Sequence, residues 1–171
     1  MLNEKMQDAL NRQVNAEMYS AYLYLSMSAY FSSIGLDGFA AWMKAQAGEE
    51  MFHAMKIFDF VNERAGRALL YPVDEPPKEW ESPLAVFEAT LEHEKKVTGM
   101  INDLVDLAIE LKDHASNNFL QWYVSEQVEE EATSDEILNK VRMIGEGKAG
   151  VFMLDRELGA RTFVWPPPAG E

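Results

Sequence analysis

Two groups of residues in this 171-residue chain repeat one spacing. Glu17 lies 33 positions before Glu50 and 36 before His53, while Glu94 lies 33 before Gln127 and 36 before Glu130. A displacement of 77 carries the first group onto the second, and also carries Glu49 onto Glu126. In each group the two later residues stand at i and i+3, neighbours on one helix face. A single inward Glu is usually a misdrawn stripe, and a lone His on an apolar face is usually a hydrogen-bonded core residue. Four Glu and one His converging on one core are a different matter, because buried carboxylates must be protonated or neutralised. Two divalent cations would neutralise the four charges. Oxygen-rich ligands with one imidazole suit iron or manganese better than a structural zinc.

The elements that must position these groups read as helices. Proline is absent from 1–71 and from 84–165, which permits long ones. Helices are expected at about 3–33, 37–65, 83–111 and 114–144, with a short fifth at about 148–161. Their apolar stripes are Leu10, Val14, Met18, Ala21, Leu25, Ser28 in the first and Phe39, Trp42, Met43, Gln46, Ile57, Phe60 in the second. The third carries Leu84, Phe87, Leu91, Ile101, Leu104, Ala108, and the fourth Phe119, Leu120, Tyr123, Ile137, Leu138, Val141. Gly35 and Gly66 read as stops, Ser82-Pro83 as a cap with proline following, and Asp113 as a further cap.

Short turns make helices one and two, and three and four, antiparallel pairs. The 15 residues from Arg67 to Glu81 reach at most about 50 Å. A helix of about 28 residues is about 42 Å long. That connection can therefore run the bundle's length and start helix three parallel to helix two. The expected fold is all-α: a four-helix bundle with one long crossover between helices two and three, a short fifth C-terminal helix, and a Pro-rich tail at 164–171, all one domain over 1–171. Within it the repeated groups lie about 15 to 18 residues from the two short turns, so they meet at mid-height.

The totals narrow the function. A net charge of −14 argues against nucleic acid and anionic membranes as partners and is compatible with cations. The absence of Cys excludes disulfides, thiolate metal sites and thiol nucleophiles. The polar start MLNEKMQDALNRQVNAE lacks a secretory signal, and no apolar run approaches a membrane span, so a cytoplasmic location is expected. His93 and His114 read as surface histidines, and the ten Met as core filler.

The chain resembles the prokaryotic non-haem ferritins in LNRQVNAEMYSAYLYLSM, GEEMFHAMK, EWESPLAVFEATLEHEKKVT and FLQWYVSEQVEEEA, a likeness running from about Met1 to about Arg161. The resemblance implies a ferritin-like four-helix subunit in a hollow homo-oligomer of 24 copies. It further implies a ferroxidase that takes Fe(II) and O2 as substrates and stores iron as ferric oxyhydroxide. Glu17, Glu50 and His53 would hold the first iron, with Glu50 bridging, and Glu94 and Glu130 the second, with Gln127 beside it. Tyr24 and Trp122 resemble the family's redox-active aromatic neighbours. Glu49, Glu126 and Glu129, sharing Glu130, resemble a third iron site.

Neighbouring classes fit less well. Bacterioferritin carries a Glu-x-x-His motif where this chain has Gln127 to Glu130, so haem is not expected even though Met51 falls at its haem-ligand position. A rubrerythrin would add a Cys-rich segment, and a dedicated oxygenase normally has two Glu-x-x-His motifs. A purely structural bundle leaves the inward carboxylates unexplained. In SEQVEEEATSDE, helical period assigns Gln127 and Glu130 to the core, Glu126 and Glu129 to its flank, and Glu131 to solvated surface.

Overall fold

A computed structural model describes residues 2–145 and 147–163; the tail at 164–171 lies outside the described residues. The described residues form α1 (Glu4–Ser33), α2 (Asp37–Glu63), α3 (Pro83–Glu110), α4 (His114–Ile144) and α5 (Lys148–Leu158), with no strand. The all-α bundle with its crossover is the expected fold. Among these residues no helix is long and apolar enough to cross a membrane.

Side-chain caps start three of the helices. Asn3 Oδ1 accepts the Lys5 N–H at 2.9 Å, Ser82 Oγ accepts that of Ala85 at 3.1 Å, and Asp113 Oδ1 accepts that of Ser116 at 3.1 Å. The fourth start, at Leu36, has no cap of its own. Asp155 of α5 supplies it, with Oδ1 accepting the Gly38 and Phe39 N–H groups at 2.8 and 3.1 Å. The last helix is thereby fixed to the bundle at the start of α2. It stops at Leu158, with Gly159 as its C-cap, so Arg161 lies beyond the helix expected to reach 161.

The α2 stop also differs from expectation. The left-handed residue is Ala65, at φ +56°, not Gly66. Gly66 is required by close approach instead: a Cβ there would lie 2.8 Å from Gln7 Oε1 and 2.9 Å from the Val61 carbonyl oxygen.

The crossover is tied to α1 by amides that the apolar pattern does not reveal. Asn11 Nδ2 donates to the Arg67 carbonyl at 3.1 Å and Asn11 Oδ1 accepts the Leu69 N–H at 3.1 Å. Asn15 Nδ2 reaches the Pro72 carbonyl at 3.0 Å, and Ser26 Oγ that of Pro77 at 2.6 Å. The connection therefore climbs alongside α1 and starts α3 at its far end, making α3 parallel to α2.

The apolar core is in two parts. One holds Met27, Phe31, Phe39, Met43, Phe87 and Leu138; the other holds Met6, Leu10, Ile57, Ile101, Leu104 and Leu120. Burying each such side chain contributes about 1.5 to 3 kcal/mol, which offsets the cost of whatever polar layer separates the two parts. On α1 the stripe departs from the expected one. Leu25 is 47% exposed and Ser28 is half-buried, while Tyr24, Met27 and Phe31 are buried. At 3.6 residues per turn the inward face passes through 24, 27 and 31, so a step of four from Ala21 leaves the core.

Candidate metal centre

Between the two apolar parts lies a polar layer with a contribution from every long helix. Glu17 of α1, Glu50 and His53 of α2, Glu94 of α3, and Gln127 and Glu130 of α4 are all buried. His53 Nδ1 lies 3.4 Å from Glu50 Oε2, and its Nε2 lies 3.9 Å from Glu126 Oε1. Donor atoms of Glu17, Glu50 and His53 fall within 4.8 Å of one another, as do those of His53, Glu126 and Glu130. His53 belongs to both groups. The Tyr123 hydroxyl donates to the His53 carbonyl at 2.8 Å, and the Trp122 ring lies edge-on at 5.4 Å from the imidazole.

Neutral donors hold the carboxylates in place. Gln13 Nε2 donates to Glu17 Oε1 at 2.9 Å. The Tyr24 hydroxyl donates to Glu94 Oε1, and Gln127 Nε2 lies 3.3 Å from Glu94 Oε2. Gln46 Nε2 donates to Glu130 Oε2. Glu17 Oε2 is buried with no hydrogen-bond partner among the described residues. Gln46 already stands on the expected inward stripe of α2; Gln13 is on no expected stripe, but its place four residues before Glu17 could have singled it out in the sequence.

Electrostatics make this layer a trap for positive charge. Burial pushes the Glu17 carboxyl up to about 7, against the lowering effect of the Gln13 hydrogen bond and of the neighbouring Glu50 carboxyl. Burial, with the nearby charges of Glu94 and Glu49, pushes Glu130 up to about 8. Glu50 lies well above the ordinary range, through burial and then repulsion from Glu94, Glu17 and Glu130. Glu94 is also raised by burial, against hydrogen bonds from Tyr24 and Gln127. His53 is pushed down to about 3 by burial and then by Lys56, so the imidazole stays neutral with a lone pair to donate. Cations would replace the protons these acids otherwise keep, and the unpaired Glu17 oxygen is a free ligand atom among them.

Outside the layer the acidic run separates by depth. Glu126 is half-buried and raised by burial, then by the charges of Glu129 and Glu49, while Glu129 is exposed. Glu49, on α2, is close enough for its charge to raise Glu126, and it pairs with Arg161. Glu131 is not plain solvated surface: it is half-buried and accepts the Thr98 hydroxyl at 2.6 Å. His93 is likewise half-buried rather than freely solvated. It lies 2.7 Å from Ser20 Oγ, against Tyr19 and Tyr24, and burial pushes it down to about 4. His114 is exposed. Arg161 has no sequence signal, because it lies beyond the last helix and outside any periodic pattern.

A bundle with one long crossover, bearing a buried Glu and His layer fed by four helices, defines the class of carboxylate-rich, metal-handling four-helix proteins. The chain belongs to the ferritin-like family, since residues 7–144 match that family's "Ferritin-like domain". It is similar to the "Bacterial non-heme ferritin" of Bacteroides fragilis, 47% identical over 161 residues, covering 94% of this chain and all of that one. The protein of the same name from Campylobacter jejuni is 44% identical over 156 residues, covering 91% and 93%. Among solved structures, the fold matches an open pore ferritin from the hyperthermophilic archaeon Archaeoglobus fulgidus. That match has a TM-score of 0.94 at 60% identity, covering 95% of this chain and 99% of that one. An engineered closed form of the Archaeoglobus fulgidus ferritin matches with a TM-score of 0.95.

Proposed function

We propose that this protein is an iron-storage ferroxidase, oxidising Fe(II) with O2 in the mid-height layer and depositing ferric oxyhydroxide inside an oligomeric cage. The observation that carries this reading is the buried set of Glu17, Glu50, Glu94 and Glu130 around a neutral His53, with one Glu17 oxygen left unpaired. Iron is the substrate. Two Fe(II) ions give one electron each to O2, which takes up two protons and leaves as hydrogen peroxide, with two Fe(III) remaining. In this reading Glu17, Glu50 and His53 hold one iron, with Glu50 shared. Glu94 and Glu130 hold the other, with Gln127 beside it. Tyr24 and Trp122 stand next to the reacting centre as redox-active neighbours. Entering cations displace the protons that burial keeps on Glu17 and Glu130. Hard carboxylate oxygens favour the ferric product, and long Glu side chains allow it to move on.

Glu49, Glu126 and Glu129, with Glu130 shared, form the proposed third seat, on the way out of the centre. Replacing Glu129 by alanine is expected to spare the first oxidation turnover, since Glu129 stands outside the buried layer. Oxidation after successive iron additions should then slow several-fold. A profile matching wild type over repeated additions would show that Glu129 is ordinary surface.

The assembly is proposed to hold 24 subunits working in the cytoplasm, where reducing conditions keep incoming iron ferrous. Size-exclusion chromatography with light scattering should give 24 times the 19.4 kDa chain mass. A monomer or dimer at all salt concentrations would overturn the cage. The function itself is tested by anaerobic loading of metal-free protein with Fe(II) followed by rapid mixing with O2. About two Fe(II) consumed per O2 in the first turnover are expected, and oxidation no faster than in buffer would refute the reading.

A further inference from the structure

Beyond α5 the chain turns back onto α2 and places a permanent cation beside the proposed third seat. Arg161 Nη2 donates to Glu49 Oε2, its Nη1 donates to Gln46 Oε1, and the guanidinium lies 4.6 Å from the Trp42 ring centroid. Gln46 is fully buried, and its amide nitrogen donates in turn to Glu130 Oε2. One guanidinium thus reaches a carboxylate of the third seat directly and one of the ferroxidase layer through a single amide. An Arg accepts no hydrogen bond and does not lose its charge, so this contact persists across the working pH range. Because the Gln46 oxygen is held by Arg161, its NH2 group is left facing Glu130.

Two residues further on, Phe163 packs against α2. A Cβ at Gly48 would lie 2.5 Å from Phe163 Cδ1, so the absence of a side chain at 48 lets the segment sit flat. The 161–163 segment is therefore seated on the same stretch of α2 that bears Gln46, Glu49 and Glu50. A cation arriving at Glu49 from Glu130 meets the like charge of Arg161 already in place.

We propose that Arg161 is a built-in competitor for the third cation, neutralising Glu49 and orienting Glu130 through Gln46 until iron reaches that seat and displaces it. The proposal rests on the ferroxidase reading and adds to it the reason iron would pass through the third seat rather than remain there. Arg161 acts through Glu49 and Gln46 and is a positioning residue.

The test is calorimetric titration of metal-free, assembled protein with Zn(II), a cation without redox chemistry, comparing wild type with Arg161→Gln, Arg161→Lys and the double variant Arg161→Gln/Glu49→Gln. Removing the guanidinium charge is expected to tighten the third, weakest class of sites about tenfold, or to reveal it where wild type shows two classes only. The two tight equivalents should persist in number, with at most a small change in affinity where Glu130 loses its held amide. Arg161→Lys, which keeps the charge, should stay near wild type, and the double variant should lose the tightened class. Equal weak-site affinity in wild type and Arg161→Gln would overturn the proposal. So would a parallel weakening of all classes, which would mean that Arg161 only holds the fold. A wild type lacking the two tight equivalents would instead remove the ferroxidase reading, and the competitor role with it.

Discussion

Replacing His53 by alanine is expected to slow initial Fe(II) oxidation by at least about 10- to 100-fold, the range typical for losing a partner that only orients a metal ligand. His53 is 2% exposed and its ring is shared between the two groups of convergent donors. Burial keeps the imidazole neutral, at about 3, so it offers a lone pair at working pH without first releasing a proton. No other imidazole can substitute, because His93 is engaged with Ser20 and His114 is exposed. Assembly should survive. The two apolar parts of the core lie above and below the layer, and the lost ring is lined by Phe52, Trp122 and Tyr123, which remain. Stopped-flow oxidation at two Fe(II) per subunit checks the rate, and size-exclusion chromatography checks assembly. Wild-type initial rates in an assembled variant would remove His53 from the centre.

The second large effect concerns pH and the metal-free protein. Its stability is expected to fall as pH rises from about 6.5 to 8, by about 2 kcal/mol per subunit. In the folded chain Glu17 titrates at about 7 and Glu130 at about 8, both raised from 4.5, so the folded state binds more protons than the unfolded state in this window. Stability must then fall with rising pH. The lowered histidines act with the opposite sign: their contribution is present above 6.5 and is lost on acidification toward about 3 for His53 and about 4 for His93. The unfolded histidines are half protonated at about 6.5 and lose those protons by about 7.5, so they offset a minor part of the carboxylate effect at the start of the window and none of it above. Filling the layer with Zn(II) replaces the protons with cations, and the slope should vanish. Denaturant midpoints at pH 6.5, 7.25 and 8, with and without Zn(II), measure this. A flat metal-free profile would mean that the carboxylates are solvated rather than buried.

Much of this protein is legible in its residues alone. Helical period places Glu17, Glu50, His53, Glu94 and Glu130 among apolar residues, and the position of each depends only on the 3.6-residue repeat of its own helix. The 15-residue crossover is long enough to permit the parallel start of the third helix, because a length limit needs no knowledge of side-chain contacts. The same local logic fails where it is extended too far. A step of four from Ala21 takes Leu25 for core, and the glycine read as the stop of α2 stands one residue beyond the left-handed Ala65.

The remaining features belong to the closed bundle, because they join residues that share no local period. Asp155 caps α2 from α5, and Asn11 and Asn15 hold the crossover. Thr98 of α3 draws Glu131 out of the solvated acidic run, and Ser20 of α1 engages His93. Arg161, beyond the last helix, is brought onto Gln46 and Glu49 by the docking of α5. Which carboxylates turn inward is a property of single helices, and the order of residues is enough to determine it. Which of them are held by a neutral donor, by a fixed cation or by nothing at all is set by partners from other helices, and those partners meet only when the bundle closes.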